Sequence, residues 1–334
     1  MIRKVIILMK QMKTKFNFPL IISALALLSI FGLSACNQDP NKKEELDGAT
    51  FGEITIAIDA TYKPIFDSMV EAFEATYKRA KINVIYTSEL EAVNLVLQDS
   101  ARVAVVAREF TDNEKKVIEK SKIMPRTEKV AIDAIAIIVN NNNKLMQLSE
   151  EEIKGILTGK FTKWSDIRPE GSNLPINVVF ESNASGIAEY FKTLYSIDLS
   201  QAKNFSGAKD NFDAINAVKN SPSTIAFLSS GWVKNTKDST NTSFIGEVTV
   251  VSVAKEGSAE FVPPLQAYIH TKTYPYTRGV YMLRKEARMG LGTGFTKYVA
   301  TEKGQRIFLK AGLLPSTMPI RVVELHSKPI NLTQ

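Results

Sequence analysis

The sequence predicts an α/β fold, and three observations carry the prediction. Short apolar runs of strand length alternate with amphipathic segments of helical period through most of residues 51–310, the pattern of a doubly wound sheet with helices on both faces. Two of the runs, Arg102–Ala107 (RVAVVA) and Ala131–Val139 (AIDAIAIIV), are apolar on both sides, as strands covered by helices on either face must be. Helix-start chemistry also falls where the period changes: Pro64 opens one segment, and Ser149 with Glu152 forms a capping box before another.

Taken in order, Ile54–Ile58 reads as a strand. Pro64–Tyr77 reads as a helix, because Ile65, Met69 and Phe73 recur at spacing four with Phe66 and Val70 beside them. Ile82–Tyr86 is a strand, Glu91–Gln98 a helix, Arg102–Ala107 a strand, Asp112–Lys120 a short polar helix and Ala131–Val139 a strand. The run Asn140–Asn143 is a loop, and 153–167 is short-helical and turn-like. Val178–Phe180 is a strand leading to a helix over 187–195. Phe212–Asn220 is a helix ended by Ser221-Pro222, Thr224–Leu228 a strand, Glu247–Val253 a strand, Gly279–Leu283 a strand and Thr296–Leu309 a helix containing Gly304. No internal repeat is evident, and nothing after residue 36 is long and apolar enough to span a bilayer.

The first 36 residues have a different logic. Arg3, Lys4, Lys10, Lys13 and Lys15 precede an apolar run, Pro19–Phe31, that closes on Leu33-Ser34-Ala35-Cys36. A basic n-region, a short apolar h-region and small residues describe a secretory signal. Leu-Ser-Ala-Cys resembles the lipobox of bacterial lipoproteins, which implies that residues 1–35 are removed and that Cys36 is lipidated. Cys36 is the single cysteine of the chain, so no disulfide framework or thiol catalysis is expected. Residues 36–50 then read as a lipidated cysteine and polar flexible tether, holding the protein to a membrane through several acyl chains.

Removal of the signal also changes the charge argument. The chain has 42 basic and 35 acidic side chains, and five of the basic ones lie in the signal, which leaves 37 against 35. A near-neutral mature chain is not a nucleic-acid binder by electrostatics.

Asn177–Phe191 (NVVFESNASGIAEYF) is the stretch with binding chemistry. An apolar strand breaks into a small polar loop that opens a helix, so unpaired N–H groups and the positive end of the helix dipole face the loop beside the Ser185 hydroxyl. An ordinary capped strand–helix turn has the same sequence. Catalytic chemistry is poorly supplied. The two histidines, His270 and His326, have no metal-like spacing; no nucleophile-elbow, Walker or Rossmann glycine pattern occurs; Ser185 has no sequence-visible base. No enzyme activity, cofactor or metal is expected.

Several motifs together resemble the solute-binding lipoproteins of phosphate ABC importers. They are Ala60-Thr61-Tyr62-Lys63-Pro64, the run 103–110 before Thr111-Asp112-Asn113-Glu114, Asp133–Val139, and Thr158-Gly159-Lys160 followed by Trp164-Ser165-Asp166. Ser185-Gly186, Ile225-Ala226-Phe227, Tyr274-Pro275-Tyr276-Thr277-Arg278 and the tail 304–315 complete the set. The resemblance spans residues 51–320. It implies a two-lobe type 2 periplasmic-binding-protein fold that closes on an anion: lobe one is 51–132 plus 271–334, lobe two is 133–270, and crossovers lie near 130–136 and 267–278. It further implies that Thr61 and Tyr62 donate hydroxyl and backbone groups, that Ser88 caps a helix at the cleft, and that Ser185, Gly186 and Ile187 form the lobe-two anion loop. Thr61 as a turn residue, Ser88 as a simple cap and Tyr62 as a packing aromatic are the plainer readings.

This sequence departs from that family at three points. Glu181 stands four residues before the Ser-Gly, where phosphate binders carry an arginine; Ser88-Glu89-Leu90-Glu91 replaces a glycine-rich loop after the second strand; and Arg108 follows the third strand, where the best-known members carry an acid and others Ser-Arg. Unit charges about 4 Å apart repel by about 4 kcal/mol at an effective dielectric of about 20. Glu181 therefore pairs with Arg108, accepts a proton from the ligand, or signals a ligand other than free phosphate, unless it simply faces solvent. The resemblance implies an exported, membrane-anchored monomer in the cell envelope that delivers an oxyanion, foremost phosphate, to an ABC permease. The alternative is a sensory or surface-interaction protein on the same fold.

Overall fold

The structure, a computed structural model, describes residues 47–199, 204–233 and 246–319. The signal segment, Cys36 and residues 37–46 lie outside the described residues, as does the stretch after 319.

The first half of the main sheet is parallel. β1 (Phe51–Asp59) lies between β2 (Arg79–Thr87) and β3 (Val103–Val106). Helices α1 (Lys63–Thr76) and α2 (Glu89–Leu97) make the crossovers, and α3 (Asp112–Lys120) follows β3. Side chains two apart on a strand share a face. Ile54, Ile56 and Ile58 therefore pack with Phe66, Met69 and Phe73 of α1 on one side, while Ala57, Ala104 and Val106 meet Ala92, Val93 and Val96 of α2 on the other. Pro64 sits in the first turn of α1, where its missing N–H costs no bond.

β4 (Arg126–Val139), 14 residues long, then carries the chain into the second half. β5 (Gln147–Ser149), α4 (Glu150–Leu157) and α5 (Trp164–Ile167) follow, then β6 (Asn177–Phe180), α6 (Gly186–Tyr195), β7 (Phe205–Gly207), α7 (Asn211–Asn220) and β8 (Thr224–Ser229). β6 is parallel to both β7 and β8. Here too the alternation sorts residues onto two faces. Ile135, Ile137, Phe180 and Phe227 pack against Ile187 and Phe191 of α6, while Ile138, Val179 and Leu228 pack against Ala214, Ile215 and Val218 of α7. The capping box of Ser149 and Glu152 is formed.

The remaining elements are β9 (Thr249–Val250), β10 (Ser252–Ala254), β11 (Phe261–Val262), α8 (Gln266–His270), β12 (Thr277–Arg284), α9 (Leu291–Ala300), α10 (Glu302–Lys310) and β13 (Leu314–Pro315). β12 returns antiparallel between β3 and β4. The sheet order is β2-β1-β3-β12-β4-β8-β6-β7, with β9 and β13 also pairing β4, and β11-β10-β5 forms a small separate sheet. β4 faces β12 up to Ala134 and β8 from Ile135 onward, so one strand belongs to both halves.

Three sequence expectations shift. Glu247–Val253 is two strands, because the chain leaves β4 for the small sheet at Val251, whose N–H still bonds the Ile137 carbonyl. Thr296–Leu309 is two helices broken at Thr301, which is extended. Gly304 lets them pack, since a Cβ there would run into the Val299 carbonyl. At the end of the stretch expected to be a tether, Asp47 accepts from the Leu291 N–H at 2.6 Å and pairs with Arg288, so residues 47–50 are docked at the start of α9.

Candidate functional site

Ligand clefts in such sheets open beyond the carboxyl ends of parallel strands, where helices begin. Five of those ends meet here. Asp59–Tyr62 follows β1, Ser88-Glu89 follows β2, Ala107-Arg108 follows β3, Glu181–Gly186 follows β6 and Lys209–Asn211 follows β7. A cavity of about 230 Å³ is lined by Asp59, Thr61, Ser88, Glu181, Gly186 and Asn211 among others. A second, of about 330 Å³, continues on the other side of Gly186, between α2, α6 and β12.

Arg278 of β12 is the cation at the junction. Its side chain is 3% exposed, and its Nε donates to Asp133 Oδ2 at 3.3 Å. The two residues are register partners in the β12–β4 ladder. Asp133 also accepts from Ser229 Oγ at 2.8 Å and Ser230 Oγ at 3.3 Å, and Tyr62 Oη lies at 3.5 Å. Burial raises the Asp133 pKa, opposed by Arg278 and the serine hydroxyls. Burial works against the charge of Arg278 as well, yet Tyr62, Asp133, Asp59 and Glu181 push its pKa above the ordinary value. It is a permanent cation.

Its two terminal nitrogens are among the exceptions to the rule that buried donors are paired. Arg278 Nη1 and Nη2 have no hydrogen-bond partner, and neither does the buried Thr61 Oγ1 or Asn211 Oδ1. A Cβ built on Gly186 would lie 3.4 Å from Glu89 Oε2, 3.6 Å from Arg278 Nη1 and 3.6 Å from Asp59 Oδ2. Two carboxylates and the free edge of a guanidinium thus converge on the N-terminus of α6.

The residues singled out from sequence fall as follows. Thr61 lines the smaller cavity, and its N–H donates to Asp59 Oδ1 at 2.9 Å. Tyr62 is fully buried and points at Asp133. Ser88 lines the cavity while capping α2 through the Glu91 N–H. Ser185 caps α6, accepting from the N–H groups of Ile187 and Ala188 at 3.1 and 3.0 Å, and Gly186 opens that helix. The Ile187 side chain is buried in the core below the site.

Glu181 does not meet Arg108. It is 4% exposed and accepts from Ser185 Oγ at 2.5 Å. Burial pushes its pKa up to about 7, with Arg278 and the Ser185 hydroxyl pulling the other way and Asp59 adding to the rise. Arg108 is occupied elsewhere. Its Nη1 and Nη2 both donate to Glu114 at 2.8 Å, and its Nε lies 3.3 Å from Glu89 Oε1. Glu114 is the N3 residue of the α3 capping box, so the box that orders that helix also holds the arginine. The buried cation at this site with donors to spare is Arg278, which the sequence offers only as the end of a motif. One signal pointed to it: Asp133 interrupts a strand buried on both faces, and a carboxylate there requires a buried partner.

The family model described as a PBP superfamily domain matches residues 43–303. The chain belongs to the PBP superfamily, with the type 2 periplasmic-binding-protein architecture. The phosphate-binding protein PstS of Staphylococcus saprophyticus is 24% identical over 281 residues, 82% of each chain. Among solved structures, a substrate-binding protein of Clostridium perfringens with bound phosphate superposes with a TM-score of 0.67 at 21% identity, over 79% of this chain and all of that one. An ABC-type phosphate transport receptor of Vibrio cholerae gives 0.62 at 20% identity over 79% of this chain. At such identities the superpositions speak to the fold. The proteins it resembles are named for binding and transporting a solute, not for catalysis.

Proposed function

We propose that the chain is the solute-receiving component of an ABC importer, and that it takes a small oxyanion, foremost phosphate. The observation that carries the reading is the buried Arg278 guanidinium with two unpartnered nitrogens at the N-terminus of α6. A guanidinium edge and a helix N-terminus are both matched to a tetrahedral oxyanion. Thr61 Oγ1 supplies a further donor on the opposite wall, and Ser88 stands beside it. Glu181, with its pKa near 7, takes part as the group that accepts a proton from the ligand or stays neutral beside it. The names of the similar proteins support phosphate as the first ligand to try.

In this reading residues 51–132 with 271–334 form lobe one and 133–270 form lobe two, with hinges near 130–136 and 267–278. Closure brings Thr61 and Ser88 of lobe one onto Ser185 and Gly186 of lobe two, and the closed form is what a permease recognises. The protein acts as a monomer, exported and held to a membrane by lipid on Cys36.

A second reading, a sensory or surface-interaction protein on the same fold, is favoured by one observation. Asp59, Glu89, Asp133 and Glu181 all act electrostatically on the groups around Arg278, an acidic surplus for an anion site. Calorimetric titration of the purified chain with phosphate, sulfate and small carboxylates separates the two. Saturating phosphate at about 100 times its dissociation constant adds about 2.7 kcal/mol of stability and raises the melting temperature. No binding of any oxyanion at millimolar concentration overturns the receptor reading.

A further inference from the structure

The cavity beyond Gly186 is larger than a bare tetrahedral oxyanion needs. Its volume of about 330 Å³ is room for on the order of ten waters at about 30 Å³ each. That is also within the ~300–1,000 Å³ usual for sites that hold organic small molecules.

Its polarity is graded. At the inner end lies Arg278, buried, with Nη1 and Nη2 unpartnered. The second arginine on the wall, Arg108, is closed off by Glu114 and Glu89, and Glu89 is in turn satisfied by Arg108 and by the Ala107 N–H at 2.9 Å. Glu189, at the outer end, is paired with Lys192. Between these ends the wall is Ala107, the Tyr190 ring, Thr193 and Leu194. Among the described residues lining this cavity, the buried donors without a partner are the two Arg278 nitrogens at the inner end; the Tyr190 and Thr193 hydroxyls are the other uncharged polar side-chain atoms on the wall, and Ala107, the Tyr190 ring and Leu194 offer apolar contact.

We infer that the ligand of this cleft is an organic phosphorus oxyanion, a phosphate monoester or phosphonate, whose head lies on Arg278 and whose uncharged substituent occupies the chamber formed by Ala107, Tyr190, Thr193 and Leu194. The inference rests on the reading of the cleft as an oxyanion receptor and adds the substrate class. Burying the substituent contributes about 25 cal/mol per Å² of apolar surface, a term that inorganic phosphate cannot collect. The head supplies what sets orientation, because a single guanidinium edge at one end of an elongated cavity admits the ligand one way round.

The test uses the purified full-length chain and three probes: inorganic phosphate, methylphosphonate and phenyl phosphate. Phenyl phosphate is expected to bind at least tenfold more tightly than inorganic phosphate, with methylphosphonate between them. Thr193→Trp, at an exposed helix position, fills the chamber and is expected to lower the ratio of phenyl phosphate to phosphate affinity at least tenfold. Leu194→Asp, also exposed, is a second variant that places a charge in the chamber and acts in the same direction. If phosphate binds and the two organic probes do not, the substrate class is overturned while the receptor reading stands. If the organic probes bind but neither variant changes the ratio, the substituent lies elsewhere and the inference fails. If none of the three binds, the inference fails, and the receptor reading falls with it when sulfate and small carboxylates do not bind either.

Discussion

Arg278 and Asp133 face each other across the β12–β4 ladder two residues before β4 takes β8 as its neighbour at Ile135. The ion pair therefore sits where the two halves of the sheet join, with one nitrogen of the guanidinium committed to the fold and two left for the cleft. Stability and binding are coupled through the same side chain. Removing one member of a buried ion pair costs about 3–5 kcal/mol, so Asp133→Ala is expected to lower the melting temperature sharply. Arg278→Lys keeps the charge but loses the planar fork. It is expected to weaken oxyanion binding roughly ten- to a hundredfold, the value of a charge-assisted hydrogen bond of about 1.5–3 kcal/mol. Titration calorimetry checks this, and wild-type affinity in Arg278→Lys would show that the ligand does not engage the fork.

Glu181 makes the stability of the unliganded protein depend on pH. Its folded pKa of about 7 lies above its ordinary 4.5. Between those values the folded chain keeps a proton that the unfolded chain has released, so stability from this group falls as pH rises through that window. Above pH 7 the full penalty applies, at most about 3.5 kcal/mol at about 1.4 kcal/mol per unit. Glu181→Gln is expected to melt higher than the native chain at pH 8 and equally at pH 4.5. Oxyanion affinity in the Gln variant is expected to fall less between pH 6 and 8. Parallel pH profiles for the two proteins would remove Glu181 from the account.

Arg108 is expected to act on binding through Glu89. With Arg108→Ala, Glu89 loses its cation while remaining close to the Gly186 position, and the exposed negative charge repels the ligand. Affinity is expected to drop about tenfold in Arg108→Ala and to recover in Arg108→Ala/Glu89→Gln. A double-mutant cycle measures this coupling. Additive losses, with no recovery, would mean that Arg108 touches the ligand itself.

Membrane attachment is expected to depend on Cys36. Cys36→Ala should appear in the soluble fraction after cell fractionation, whereas the native chain sediments with membranes. A variant that still sediments would overturn the lipid tether.

Much of the fold is legible because it rests on local pattern. Ile65, Met69 and Phe73 announce α1, Ser149 and Glu152 announce α4, and the apolar run through Val139 announces a strand buried on both faces. Each of these signals lies within a few residues of sequence and needs no partner to be recognised. The breaks at Val251 and Thr301 were not legible, since each arises where the chain passes from one packing partner to another.

The site divides along the same line. By itself, the sequence shows a strand breaking into a polar loop that opens a helix, which is why Ser185 and Gly186 can be named from the turn, whereas Thr61 and Ser88 are named through the family resemblance. Which charges face one another was decided only by the tertiary structure, because Asp133 and Arg278 are 145 residues apart and join through strand register alone. A pairing of Arg108 with Glu181 is one of the readings their motif positions leave open. The fold gives Arg108 to the α3 cap and Glu181 to Ser185, and leaves the open guanidinium on β12, because an ion pair forms where backbone geometry brings side chains within hydrogen-bond reach.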